Sequence, residues 1–215
     1  MQAYWLQDGT LTVDGKVILQ EVSPAISALA DEDGVGVFIS ATAATGGDLH
    51  RFDLGVIPQL QRFTSCHRDS PWWMVPRAGT HLSEVRVETQ FLLAELRGGG
   101  YLLALPLINN WFRARLEGTP EDHLALIAET GDPETVGREL TGLFLGYGTD
   151  PYQLVADSAK AVLSRLKTGR LRVNKPLPDF VDYFGWCTWD AFYQQVSADK
   201  VLAGLESFAA GGVQP

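Results

Sequence analysis

Residues 85–96 and 101–108 are two strand-like segments separated only by Arg97 and the triplet Gly98, Gly99 and Gly100. Their centres, Phe91 to Ala94 and Leu102 to Leu105, carry no polar side chain on either face. Strand side chains alternate, so a strand that is apolar at every position must be covered on both faces. This pair therefore demands a β-rich body of more than one layer. The glycine loop between the runs reads as a hairpin. Asp14 and Gly15, between residues 11–13 and 16–19, read as another, because Asp-Gly supplies the positive φ of a two-residue turn. Residues 35–39, 112–116, 123–129 and 143–147 read as further short strands set apart by Gly, Pro and Asp. Of these, 112–116 alternates Phe, Arg, Ala, Arg and Leu, which predicts one wet face. The fold expected for residues 1–148 is mainly β, a β-sandwich.

A helix follows. Asp150 suits its cap, Pro151 its first position and Gly169 its exit. Leu154, Val155, Ala159, Val162, Leu163 and Leu166 recur at helical spacing, and Arg165 and Lys167 complement the dipole of the last turn. Pro176 and Pro178 then mark a boundary, so residues 149–178 read as a linker helix with a Pro-rich end. Residues 181–190 read as a buried strand. Ser197 caps a second helix running to about Ala210, whose apolar face is Val201, Leu202, Leu205, Phe208 and Ala209. Gly211 and Gly212 end it, and Val213 is expected to begin another strand. A strand, a helix and a new turn make one β/α unit, so residues 179–215 are expected to be the start of a truncated barrel.

The chain holds 26 acidic and 17 basic residues, a formal net charge of −9. Phosphate contacts and anionic lipid surfaces both call for clustered cations, so neither nucleic acid nor a membrane is an expected partner. A neutral small molecule is. Cys66 and Cys187 are far apart and in no Cys-x-x-Cys pair, which fits a reducing compartment. The first residues lack a basic region followed by an apolar core, and the run 101–108 is far short of the ~20 residues of a membrane helix. The expectation is a cytoplasmic location. His50, His67, His81 and His123 are scattered without ligand spacing, so no metal is expected. Cys66-His67 is an adjacent pair, but neighbours on a strand point apart, and a structural role is the reading taken. The glycine triplet precedes no helix, so no nucleotide cofactor is expected.

Two groups of residues suit a sugar. On a strand over 181–190, Trp186 and Asp190 share a face, with Asp190 at the carboxyl end, where β/α barrels place their sites. An indole offers a plate to ring C–H groups and a carboxylate accepts from hydroxyls. The same residues also read as a core Trp186 and a helix-capping Asp190. Trp72 and Trp73, beside Pro71, either stack on a saccharide or fill an interface between domains.

The motif Phe-Gly-Trp-Cys-Thr-Trp-Asp-Ala-Phe-Tyr at residues 184–193 resembles the signature of the raffinose synthase, seed-imbibition-protein and alkaline α-galactosidase group of glycoside hydrolase family 36. Trp72-Trp73-Met74, Glu88-Thr-Gln-Phe-Leu-Leu, Tyr101-Leu-Leu-Ala-Leu-Pro, Phe112-Arg-Ala-Arg-Leu-Glu-Gly, Asp150-Pro151, Lys175-Pro-Leu-Pro, Gly204-Leu205 and Gly211-Gly212 extend the resemblance over roughly residues 70–215. The resemblance implies a sandwich followed by a (β/α)8 catalytic barrel. It also implies cleavage or transfer of α-galactosyl groups from raffinose-type sugars or galactinol. The implied chemistry is retaining, with two carboxylates ~5 Å apart across the scissile bond. By the motif, Trp186 lines the galactose pocket, Asp190 stands at its edge, and Trp72 and Trp73 close it from the sandwich side. The family's Asp-Asp-Gly-Trp strand and its catalytic carboxylates are expected beyond Pro215. No catalytic residue, and no activity, is therefore expected of these residues alone. The alternative is a stand-alone carbohydrate-binding sandwich module without chemistry.

Overall fold

Asp-Gly turns shape the first three strands of the computed structural model, which describes residues 2–109 and 111–213. Strands β1 (Tyr4–Gln7), β2 (Thr10–Val13) and β3 (Lys16–Leu19) form an antiparallel meander. Asp14 and Gly15 stand at φ 47° and 78°, and Asp8 and Gly9 at 49° and 70°. Both pairs have the two positive φ values that a type I′ turn requires. Tyr4 ties this small sheet to the rest: its hydroxyl donates to the Val35 carbonyl at 2.8 Å and accepts from the Tyr147 amide at 3.0 Å. Burial pushes the Tyr4 phenol up to about 12.

The main sheet holds β4 (Ile26–Ala30), β5 (Gly36–Gly47), β6 (Leu49–Asp53), β7 (Leu60–Ser70), β8 (Trp73–Gly79), β9 (Thr89–Leu96), β10 (Tyr101–Pro106), β11 (Ile108–Asn109), β12 (Phe112–Gly118), β13 (Leu124–Glu129) and β14 (Gly137–Gly148). Its path runs β4-β5-β14-β10-β9-β12-β13-β6, with β7 on β9, β8 on β7 and β11 on β12. Every pairing is antiparallel, and the chain is mainly β, with a nearly closed, barrel-like sheet. Alternate residues from successive strands meet inside: Ile39, Phe52, Phe63, Leu92, Leu102, Leu116, Leu126 and Leu145 belong to one buried cluster. Gly55, at φ 73°, lets the chain pass against Gln20, where a Cβ would run into the Gln20 carbonyl.

Strand β10, apolar on both faces, is covered on both, and helix α1 (Pro151–Leu166) provides the second cover; β9 is covered on one face only, with Phe91 and Leu93 half-buried. Phe38, Leu107, Phe144 and Ala161 form a separate buried cluster on that side, edged by Val35, Leu105, Val162 and Leu166. Phe38 and Phe144 meet edge to face with ring centroids 5.0 Å apart. Asp150 caps α1 by accepting from the amides of Tyr152 and Gln153 at 2.9 and 3.2 Å. The helix ends at Leu166, three residues before Gly169: Lys167 takes the left-handed conformation at φ 54° and its amide closes the last turn on Leu163.

The chain divides into two compact units at Leu171 and Arg172. Residues 172–213 hold α2 (Trp189–Phe192), α3 (Ala198–Ala210) and three 3-10 turns. The strand expected over 181–190 does not form: residues 184–188 are irregular and Trp189 starts α2. A strand needs a neighbour to satisfy its amides and carbonyls, and residues 172–213 contain no other strand. For the same reason Val213 follows Gly212 without beginning one. Ser197 caps α3, accepting from the Lys200 amide at 3.3 Å.

Candidate functional site

Exposed indoles stand at hairpin tips. Strands β7 and β8 pair from Phe63 with Gly79 to Ser70 with Trp73, leaving Pro71 and Trp72 as the turn. Trp72 is 85% exposed and Trp73 62%. Strand β8 pairs only with β7, and Pro76, which has no amide hydrogen to offer, suits such an edge. Trp111, 70% exposed, occupies the turn between β11 and β12. Its neighbour Asn110 lies outside the described residues.

A charge network lies between these tips. Glu88, just before β9, accepts from Arg113 Nη1 at 2.7 Å, Arg113 Nη2 at 3.1 Å and Arg68 Nη2 at 2.8 Å. Arg115 Nε lies 2.9 Å from the same carboxylate. Glu129 takes a further hydrogen bond from Arg113 and lies 3.7 Å from Arg115. The Arg113 hydrogen bonds, reinforced by Arg68 and Arg115, hold the Glu88 carboxyl below its ordinary value of 4.5 against the opposing effect of burial. Arg113 is raised in turn, chiefly by its bonds to Glu88. Glu88 also has φ 62°, the left-handed region that costs a non-glycine residue about 1 kcal/mol or more. Its backbone carbonyl accepts from the Arg68 amide at 3.0 Å. Sequence reasoning missed this network because its members are scattered over 68, 88, 113, 115 and 129. The available signal was the Arg-Ala-Arg alternation of β12, read only as a wet face.

Other polar residues take structural places. His67 is turned into the buried face of β7, its Nδ1 without a hydrogen-bond partner, and adjacent Cys66 is half-buried on the opposite face. His123 Nδ1 lies 2.9 Å from Asp53 and Nε2 3.6 Å from Glu21; the Asp53 hydrogen bond raises the imidazole above its ordinary value of 6.5. Among the described residues no group of three or more His, Cys, Asp or Glu could hold a metal ion, and no helix is long and apolar enough to cross a membrane.

Within residues 172–213, Trp186 packs edge-on against Phe208 and Phe192, with centroids at 4.8 and 5.9 Å, and lies over Gly204 of α3. Asp190 is exposed in the first turn of α2, and Thr188 holds the cap position. With no strand over 181–190, Trp186 and Asp190 do not share a strand face. An open groove of 590 Å³ lies beside them, lined by Trp189, Phe192, Tyr193, Gln195 and Lys200. The sequence reading did not single out this groove. Lys200 Nζ is engaged there, donating to the Gln195 carbonyl at 2.9 Å.

Similarity to known proteins follows the whole chain. A probable galactinol–sucrose galactosyltransferase 6 of Arabidopsis thaliana is 39% identical over 98% of this chain and 31% of its own length. A galactinol–sucrose galactosyltransferase of Oryza sativa subsp. japonica is 33% identical over 99% of this chain and 30% of its own. The chain thus spans under a third of the length of these relatives. A solved α-galactosidase from Thermus thermophilus in complex with stachyose overlaps 98% of this chain and 41% of its own, at 18% identity and a TM-score of 0.43. The family described as raffinose synthase or seed imbibition protein Sip1 matches residues 6–215, and this chain belongs to it.

Proposed function

We propose that this chain forms the amino-terminal, sugar-facing part of an enzyme that transfers or hydrolyses α-galactosyl groups of galactinol or raffinose-type oligosaccharides with retention. The observation that carries the proposal is the family match over residues 6–215, joined to solvent-exposed Trp72 and Trp73 at one hairpin tip. Indole faces suit the C–H faces of a neutral galactoside, and the net charge of −9 suits a neutral partner rather than a phosphorylated one. We read residues 1–148 as the sandwich of such an enzyme and 179–215 as the first unit of its (β/α)8 barrel, with Trp186 and Asp190 at the galactose pocket. Exposed Phe180, Trp189, Leu202 and Leu205 favour that reading, since a completed barrel covers such side chains. The acid/base pair belongs, in this proposal, to residues beyond Pro215. A retaining acid needs a raised carboxyl, whereas the shifted carboxyls among the described residues (Glu84, Glu88, Glu121 and Asp132) are all lowered. The free thiols Cys66 and Cys187 favour a reducing, cytoplasmic setting.

The test is calorimetric titration of the purified chain with raffinose and galactinol, beside an assay on a nitrophenyl α-galactoside. Weak, roughly millimolar binding without turnover is expected of a site that presents one edge of a pocket. Turnover by these 215 residues refutes the placement of the acid pair. The alternative, a stand-alone carbohydrate-binding module, is favoured by the separate core of residues 1–171. It predicts binding some hundredfold tighter, lost on Trp72→Ala.

A further inference from the structure

We infer that Glu88 is a positioning residue that locks the Trp72/Trp73 hairpin to the Trp111 hairpin, so that the three indoles present one saccharide-contacting edge. This rests on the sugar-facing reading above. The geometry is direct. Arg68 lies on β7 opposite Met74, one residue before the Ser70–Trp73 closing pair is reached on β8. Arg113 lies on β12 opposite Ile108, one residue from the Asn109–Phe112 pair that closes the Trp111 turn. At about 3.3 Å per strand residue, each tip is within about 10 Å of its arginine along the strand. Both arginines donate to the same carboxylate, at 2.8 Å from Arg68 and at 2.7 and 3.1 Å from Arg113.

The two hairpins share β9, which pairs with β7 up to His67 and with β12 at Leu116; among the described residues β8 pairs only with β7, and β11 only with β12, so no ladder joins the tips directly. Beyond the last ladder bonds, the link between the tips runs through side chains. A carboxylate that takes a bidentate guanidinium from one hairpin and a second arginine from the other, here sharing Glu88 Oε2, fixes distance as well as direction. Arg115 and Glu129 brace the far side, so Arg113 is held from two directions. The left-handed backbone at Glu88 points the same way. A turn at φ 62° is served at lower cost by glycine or asparagine, neither of which offers a carboxylate. The chain keeps the strained residue whose side chain makes the clamp.

The test reads the indoles separately. The full chain is labelled with 5-fluorotryptophan, and the fluorine signals are assigned by single Trp→Phe changes at 72, 73 and 111. Arg113→Lys keeps the charge of β12 and removes the fork; it is expected to shift the signals of Trp72 or Trp73, on the other hairpin. Arg68→Lys is expected to shift that of Trp111. Glu88→Gln shifts both sets and leaves the three remaining signals, those of Trp5, Trp186 and Trp189, in place, with an unchanged far-UV circular dichroism spectrum. Effects confined to the mutated arginine's own hairpin overturn the clamp. Raffinose titration of the same proteins gives the second reading: Glu88→Gln raises Kd about fivefold, the equivalent of one lost aromatic contact. If the cross-hairpin shifts appear and the unmutated chain binds no raffinose, the clamp stands and the sugar-facing reading fails. If raffinose binds and Glu88→Gln changes neither Kd nor the signals, the clamp fails and the sugar-facing reading stands.

Discussion

Phe144→Ala tests whether α1 is a true second layer of the sheet. Phe144 is fully buried on the helix side of β14, edge-on to Phe38 and in one cluster with Leu107 and Ala161. A buried phenylalanine ring removes at least ~150 Å² from water, which at ~25 cal/mol/Å² amounts to about 4 kcal/mol. Truncation also leaves a cavity between sheet and helix, and measured Phe→Ala losses run about 3–5 kcal/mol. The expected loss is therefore about 4 kcal/mol, or about 8–16 °C in Tm for a unit of this size. Urea unfolding followed by far-UV circular dichroism measures it, with Tyr152→Ala on the exposed face of α1 as the control, expected within about 0.5 kcal/mol of the parent. Phe144→Leu, which keeps most of the volume, is expected to lose about 1 kcal/mol. A Phe144→Ala loss below about 1 kcal/mol, with an unchanged denaturant slope, refutes the packing of α1 against β5 and β14.

Tyr4→Phe leaves the Tyr147 amide and the Val35 carbonyl without their partner and is expected to cost about 1–3 kcal/mol in the same urea titration. Asp150→Ala removes the cap of α1 and is expected to cost about 1 kcal/mol, with asparagine at that position restoring most of it. Because Glu88 is held below its ordinary 4.5, chiefly by Arg113, it adds stability that is present above that value and is lost as pH falls through the lowered one. Stability measured from pH 6 down to pH 3 should fall less steeply in Glu88→Gln than in the parent. His123 has the opposite sign: raised by Asp53, it adds stability below 6.5 that is lost as pH rises through its folded value. Asp53→Asn should move the His123 titration, followed by NMR, back toward the ordinary imidazole range. Limited trypsin digestion should cut at Arg170 or Arg172, which are exposed in irregular or 3-10 segments, before it cuts within β5 or β14.

What could be read from the residues follows from what produces a local signal. Asp14-Gly15 and Asp150-Pro151 act through backbone geometry within a few residues, so turn and helix appear where expected. Asp8-Gly9 carries the same signal as Asp14-Gly15, but the strand before it, Tyr4–Gln7, begins with Tyr4, Trp5 and Leu6 in succession and so has no apolar/polar alternation to mark it. Strand β7 was hidden for another reason. Its inward face is Phe63, Ser65 and His67, and the buried serine and histidine erase the apolar alternation by which a strand is recognised. The expectation of double burial was met on one face only in β9, Phe91 and Leu93 staying half-buried, while the double burial of β10 was legible. Its cause was not, since a helix and a second sheet cover a strand with the same apolar face. Residues 181–190 failed as a strand because an apolar run has no strand structure of its own; that comes from the neighbour it pairs with.

The candidate site divides along the same line. Trp72 and Trp73 stood out because large apolar residues beside Pro are locally conspicuous, and the structure leaves both in solvent, as it does Trp111. Glu88 did not, although it organises more of that surface. Its significance comes from partners 20 residues before it and 25 and 27 residues after it in sequence, joined only through antiparallel register. Its local signal, a positive φ, appears only in the folded backbone. Aromatic groups that meet a ligand are thus easier to find in a sequence than the polar groups that hold them in place. In this chain the first kind occupies hairpin turns, where any indole is visible. The second lies beneath them, on the strands, where charged residues read as ordinary solvent-facing positions until the register brings Arg68, Arg113 and Arg115 onto one carboxylate.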